Sequence, residues 1–251
     1  MENIIINIFD FTNAYKSQNF YKEYPHRYFD FTNLSSVNCY CDDEAFLTIK
    51  KEIYNRPVKD KRMINFLDNG NFHYLSYLTM SMIEQDFCLV LFDNHPDAKE
   101  PIFPILSCGG WVIDTLKNLS HLRKIVFIGV DPLLFDEIND IFDIYNFKQV
   151  RYDKDKRIYI YEAYNNTKPD YPVYLSIDKD VFDKEFASTM WSQGNMTFNE
   201  FKSLAKNTLG NKFILGIDIT GEIGENTFDT RGNRLNEKAN SLILKEIFKY
   251  F

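Results

Sequence analysis

Cys88-Leu89-Val90-Leu91-Phe92-Asp93-Asn94-His95-Pro96-Asp97 is a short apolar run that ends abruptly in two aspartates and a histidine at alternate positions. A run this apolar and this short, closed by turn-forming residues, reads as a strand buried on both faces. Val173-Tyr174-Leu175-Ser176-Ile177-Asp178-Lys179-Asp180 repeats the plan. Side chains at i, i+2 and i+4 of an extended chain share a face. Asp93, His95 and Asp97 therefore point together wherever the extended conformation continues, and Asp178 and Asp180 form a second converging pair. Gly70-Asn71-Phe72-His73, after another apolar run, adds a second imidazole. Together the three segments supply four carboxylates and two imidazoles, enough to hold two metal ions.

Working outward, largely apolar runs at 4–9, 64–67, 88–92, 125–130, 173–177 and 213–217 alternate with helix-like stretches at 43–54, 74–84, 111–118, 134–145 and 197–209, and 235–251 reads as a terminal helix. Thr197 followed three residues later by Glu200 has the spacing of a capping box and fixes the start of its helix. Strands alternating with helices predict an α/β domain, a mostly parallel sheet covered on both faces. Ligands of such sheets bind outside the carboxyl ends of the strands, where all three segments fall.

At 251 residues and 45% hydrophobic composition the chain suits one core, so a single domain over 1–251 is expected. A formal net charge of -7 argues against nonspecific nucleic-acid binding, which calls for a basic surface. No apolar run approaches the roughly 20 residues that span a bilayer, and the Met-Glu-Asn-Ile-Ile-Ile start lacks the basic residues of a secretory signal. A cytoplasmic protein without membrane partners is expected. Cys39, Cys41, Cys88 and Cys108 are few for this length and read as reduced structural thiols.

Aspartate and imidazole donors without thiolate suit a hard or borderline divalent ion such as Mn²⁺ better than a structural zinc site. Four ionised aspartates carry about -4 and two divalent ions +4, which leaves a bridging hydroxide as the natural extra anion. With these residues in view, the chain resembles the ureohydrolase family, which includes arginase, agmatinase and formimidoylglutamase. That family carries Gly-Gly-Asp-His, Asp-Ala-His-x-Asp and Ser-x-Asp-x-Asp motifs in this order, matched here by the segments ending at His73, Asp97 and Asp180. Ser192-Gln193-Gly194-Asn195-Met196-Thr197-Phe198 resembles the family's Pro-Gly-Gly-Leu-Thr-Tyr stretch, and Gly216-Ile217-Asp218-Ile219 its Leu-Asp-Ile strand.

The resemblance implies a three-layer α/β/α arginase-like domain with two Mn²⁺ per chain. It makes His73 and Asp97 terminal ligands of one ion, His95 and Asp180 terminal ligands of the other, and Asp93 and Asp178 bridges. The implied reaction is attack by a bridging hydroxide on the carbon of a guanidino or related C–N group, with release of urea or an amine. The implied partners are a small guanidino-type substrate or an arginine-containing peptide, and a second copy of the chain in a homo-oligomer. Beyond the ligands the match thins. No histidine stands where arginase keeps its proton shuttle, and Gly221 occupies the place of the family's guanidinium-binding glutamate, with Glu222 one residue beyond. Glu222 is the candidate for a catalytic and substrate-binding role, with Asp218 and Trp111 as further candidate substrate contacts. The alternative reading is a metal-binding regulatory protein without catalysis.

Overall fold

The computed structural model describes residues 4–55, 62–101, 103–136, 138, 140–224 and 229–251. In chain order the strands and helices are β1 (Ile4–Asp10), β2 (His26–Asp30), β3 (Tyr40–Cys41), α1 (Asp43–Tyr54), β4 (Arg62–Phe66), α2 (Leu75–Met80), β5 (Phe87–Phe92), β6 (Leu106–Ser107) and α3 (Trp111–Asn118). They continue with β7 (Leu122–Ile128), α4 (Pro132–Asp136), α5 (Ile141–Ile144), β8 (Phe147–Asp153), β9 (Ile158–Ala163), β10 (Val173–Asp178), α6 (Phe198–Leu209), β11 (Ile214–Thr220) and α7 (Thr230–Ile247).

Nine strands form one sheet in the order β2-β1-β4-β11-β10-β5-β7-β9-β8. The pairings from β2 to β7 are parallel, and β9 alone runs against its neighbours β7 and β8. Every residue of β5 and β10 is buried, as their continuous apolar runs require. Successive side chains leave β5 on opposite faces: Leu89 and Leu91 pack with Ile49 of α1, Leu78 of α2 and Ile113 of α3, whereas Val90 and Phe92 pack with Phe201 of α6 and Ile243 of α7. The result is the expected three-layer α/β/α arrangement, with the layers joined through burial of apolar side chains worth about 1.5–3 kcal/mol each. Among the described residues no helix is long and apolar enough to cross a membrane.

Some elements differ from the sequence expectation. The stretch at 134–145 is two short helices, because Ile138 N–H donates to Phe135 O and Ile141 N–H to Ile138 O, three-residue links that interrupt the α ladder. The helix expected at 74–84 ends at Met80, and the terminal helix begins at Thr230, where the Asp229 side chain accepts from Gly232 N–H. At Thr197 the capping box is present in full: Thr197 Oγ1 accepts from Glu200 N–H, and Glu200 Oε2 accepts from Thr197 N–H.

Candidate metal centre

Adjacent parallel strands β5 and β10 pair Leu91 with Ser176 and Phe92 with Ile177, so the aspartates that follow, Asp93 and Asp178, leave the sheet side by side. His73 arrives from β4 through a 3₁₀ turn at Gly70–Phe72, started by the Asn69 side chain accepting from Asn71 N–H. Asp180 lies in a second 3₁₀ turn after β10, Lys179–Val181, and its N–H donates to Asp178 Oδ1 at 2.9 Å. Asn94 N–H donates to Asp180 Oδ1 at 3.1 Å, tying the two strand ends together.

Two groups of donors converge there, His73 with Asp93 and Asp178, and His95 with Asp93 and Asp180; within each, the donor atoms lie within 4.8 Å of one another. Asp93 belongs to both. Its Oδ2 is 3.3 Å from His73 Nδ1 and its Oδ1 is 3.6 Å from His95 Nδ1. His73 Nδ1 also lies 3.0 Å from Asp97 Oδ2 and 3.6 Å from Asp178 Oδ2, and His95 Nδ1 lies 2.8 Å from Asp180 Oδ2. His73 Nδ1 and Asp93 Oδ2 are buried without a hydrogen-bond partner, an arrangement that costs free energy unless something else satisfies it. Asp97 stands beside the first group but outside it, in a left-handed backbone conformation (φ 47°), and its Oδ2 accepts from Trp111 Nε1 at 2.7 Å.

Both imidazoles turn Nδ1 inward and Nε2 toward a serine: His73 Nε2 is 2.8 Å from Ser176 Oγ, and His95 Nε2 is 2.9 Å from Ser192 Oγ. A ring whose Nδ1 binds metal carries its proton on Nε2, and a serine oxygen at this distance accepts it and fixes the tautomer. The electrostatics point the same way. Burial opposes ionisation of Asp93, yet the two imidazoles beside it hold its carboxyl at about 2. Burial and the charge of Asp93 push Asp178 up to about 7, and the same two causes, with Asp178 adding its charge, raise Asp180. Burial resists protonation of His95, but Asp180 and Asp93 outweigh it and lift the ring to about 11. Carboxylates packed this closely are short of positive charge. Divalent cations would supply it, so the donor set fits them.

A cavity of about 250 Å³ opens above the centre, with His95, Asp97, Asp178 and Asp180 on its floor and Trp191, Gly70, Cys108 and Leu134 among its walls.

A model of the arginase family matches residues 12–231. The chain belongs to the arginase family. An uncharacterized Thermotoga maritima protein is 33% identical over 193 residues, 74% of this chain and 68% of the relative. Among solved structures, the arginase-family fold is shared with Bacillus cereus arginase (TM-score 0.61, 12% identity, 98% of each chain covered). It is shared also with Bacillus subtilis formimidoylglutamase (TM-score 0.57, 13% identity, 98% of this chain and 86% of that one) and with the agmatine ureohydrolase of Thermoplasma volcanium (TM-score 0.56, 12% identity, 98% and 88%).

Three residues expected to touch substrate in this arginase-family site lie elsewhere. Glu222 is fully buried, ion-paired with Lys179 and bonded to Gln18, Asn236 and Asn240, so its carboxylate is spent away from the cavity wall. Asp218 accepts from Asn65, Thr79 and Tyr174 inside the sheet. Trp111 is fully buried and packs on His73 with centroids 4.8 Å apart, holding Asp97 rather than facing the cavity. Position 221 itself admits no side chain: its φ is +95°, and a Cβ there would lie 2.6 Å from Asp178 Oδ1 and 2.8 Å from Lys179 N. Ser176, Ser192 and Lys179 lie within the quoted motifs, but nothing in the sequence marks them as partners of His73, His95 and Glu222.

Proposed function

We propose that this chain is a binuclear manganese-dependent hydrolase of the ureohydrolase type, which cleaves a C–N bond of a small guanidino or related substrate. The observation that carries the reading is Asp93: one buried carboxylate at the end of β5 offers one oxygen to each of two donor groups. His73, Asp93, Asp178 and, beside them, Asp97 would hold one ion; His95, Asp93 and Asp180 would hold the other. Two ions there would activate water and polarise the carbon it attacks.

The chain's own residues prepare that chemistry. Ser176 and Ser192 orient the two imidazoles, and the Trp111 indole N–H keeps Asp97 turned toward His73. Buried Pro96 and Cys108 narrow the cavity and limit water around the reacting group. The family, and solved neighbours that include an arginase and an agmatine ureohydrolase, support this reaction type.

The test is the metal content of protein purified in Mn²⁺, followed by a urea and amine assay across a panel of guanidino compounds. Close to two ions per chain and hydrolysis of at least one compound are expected. Asp93→Asn removes the shared carboxylate charge, so it should lose both ions together and with them the activity. A parent protein that takes up no divalent metal ends the proposal.

A further inference from the structure

With Glu222 and Asp218 committed inside the fold, the carboxylates on the cavity wall among the described residues are Asp97, Asp178 and Asp180, all of them in or beside the candidate metal set. Ions bound there would take up their charge. Among the described residues, a planar, cationic C–N group therefore meets no spare carboxylate in this cavity, and an uncharged side chain on its wall is the remaining candidate to grip it.

Trp191 is placed to do so. It lines the cavity while 45% exposed. Its pyrrole edge is clamped, because Nε1 donates to Asn71 Oδ1 at 2.9 Å and the ring lies so close over Gly70 that a Cβ there would stand 2.8 Å from Cδ1. Asn71 is itself anchored, donating from Nδ2 to Asn38 Oδ1 at 2.8 Å. The indole meets the His95 ring edge-on, centroids 5.9 Å apart and planes at 71°, which sets it directly beside the candidate centre. An exposed tryptophan fixed by a hydrogen bond, a missing side chain and a ring contact is pre-organised, and its π face attracts planar cations such as guanidinium.

We propose that Trp191 is the specificity-determining residue of this site, its indole face receiving the planar C–N group of the substrate beside the metal centre. The inference rests on the hydrolase reading given above. It assigns to an aromatic face the work that a carboxylate at position 221 or 222 would otherwise do.

The experiment uses the full chain loaded with Mn²⁺ and methylguanidinium chloride as the probe, read by calorimetry and by indole fluorescence. Trp111 also touches the site through Asp97 and His73, so the part of the fluorescence change that disappears in Trp191→Leu is the part that reports Trp191. The parent is expected to bind the probe. Trp191→Leu should bind it roughly tenfold more weakly with its manganese content unchanged, and Trp191→Phe should restore most of the affinity. Gly70→Ala places a Cβ 2.8 Å from the indole Cδ1 and 3.2 Å from Asp178 Oδ2, so it should weaken binding in the same direction with the tryptophan kept, and its manganese content, measured alongside, should stay at the parent's value. Unaltered affinity in Trp191→Leu or in Gly70→Ala overturns the role of Trp191 and leaves the hydrolase reading standing. A metal-loaded parent that neither binds the probe nor hydrolyses any guanidino compound overturns both.

Discussion

Lys179 and Glu222 meet where neither touches water, and what holds them there is a set of amides. Glu222 accepts from the Lys179 ammonium, from Gln18 Nε2 at 3.0 Å, from Asn236 Nδ2 at 3.2 Å and from Asn240 Nδ2 at 2.8 Å. Lys179 Nζ donates also to Asn240 Oδ1 at 2.9 Å. Burial lowers the lysine pKa, and the charge of Glu222 opposes that shift. Removing the carboxylate strands an ammonium and several amides in the core, so Glu222→Ala should cost about 3–5 kcal/mol in urea unfolding. A loss under 1 kcal/mol would show that the pair contributes little to the fold. The convergence of the candidate donors was readable in sequence because they sit at fixed short spacings on strand ends. The employment of Glu222 was not, since its partner lies 43 residues away and looks like a spacer between two aspartates. Trp191 was equally opaque: sequence gives no means of telling a packed indole from one seated at a cavity mouth.

Elements were readable where their stability is local. At the start of α6, Thr197 and Glu200 cap one another across a single turn, and the spacing alone announces it. Thr197→Ala should lower stability by about 1 kcal/mol, checked by thermal and urea unfolding. Manganese content should not change, because the preceding segment has its own anchors: Met196 N–H donates to Val181 O and Gly194 N–H to Asp180 O. Loss of metal in that variant would mean that the cap, rather than those anchors, seats Ser192 against His95. The strands buried on both faces were likewise legible from their apolar runs. β8 was not, because its residues 148–152 are exposed and mostly polar; β9, whose alternate residues are buried, carries a strand signal in Ile158-Tyr159-Ile160-Tyr161 that the search for continuous apolar runs does not register. Both lie beyond β7, with β8 the edge strand and β9 paired between them, where pairing with a neighbour decides the strand more than composition does. β2, at the opposite edge, escaped notice for the same reason.

At the scale of the whole molecule, the raised histidines and the raised aspartates act on stability in one direction. His95 is raised to about 11 by its aspartates, and His73 is raised as well, so their ion pairs stabilise fully below the unfolded histidine pKa of roughly 6.5 and are lost as pH climbs through the folded values. Asp178 and Asp68 are each raised to about 7 by burial and a neighbouring aspartate, so a penalty for ionising them grows as pH rises from roughly 4 to 7. Asp93, held at about 2, contributes the opposite way, but only below roughly pH 4. Above that pH these four raised groups keep more protons in the folded chain than in the unfolded one, outnumbering the opposite shift of Lys179, and the slope of stability with pH is negative. Protein stripped with chelator should therefore melt at progressively lower temperature from pH 5 to pH 9. The proposed ions invert the balance: they bind deprotonated ligands, so their contribution grows with pH and should flatten or reverse the slope. Melting curves across that range, with chelator and with Mn²⁺, separate the alternatives. Parallel slopes in the two series would mean that the raised groups are not the ones an ion engages, whereas divergence that widens toward pH 9 ties the cluster's unmet charge directly to metal binding.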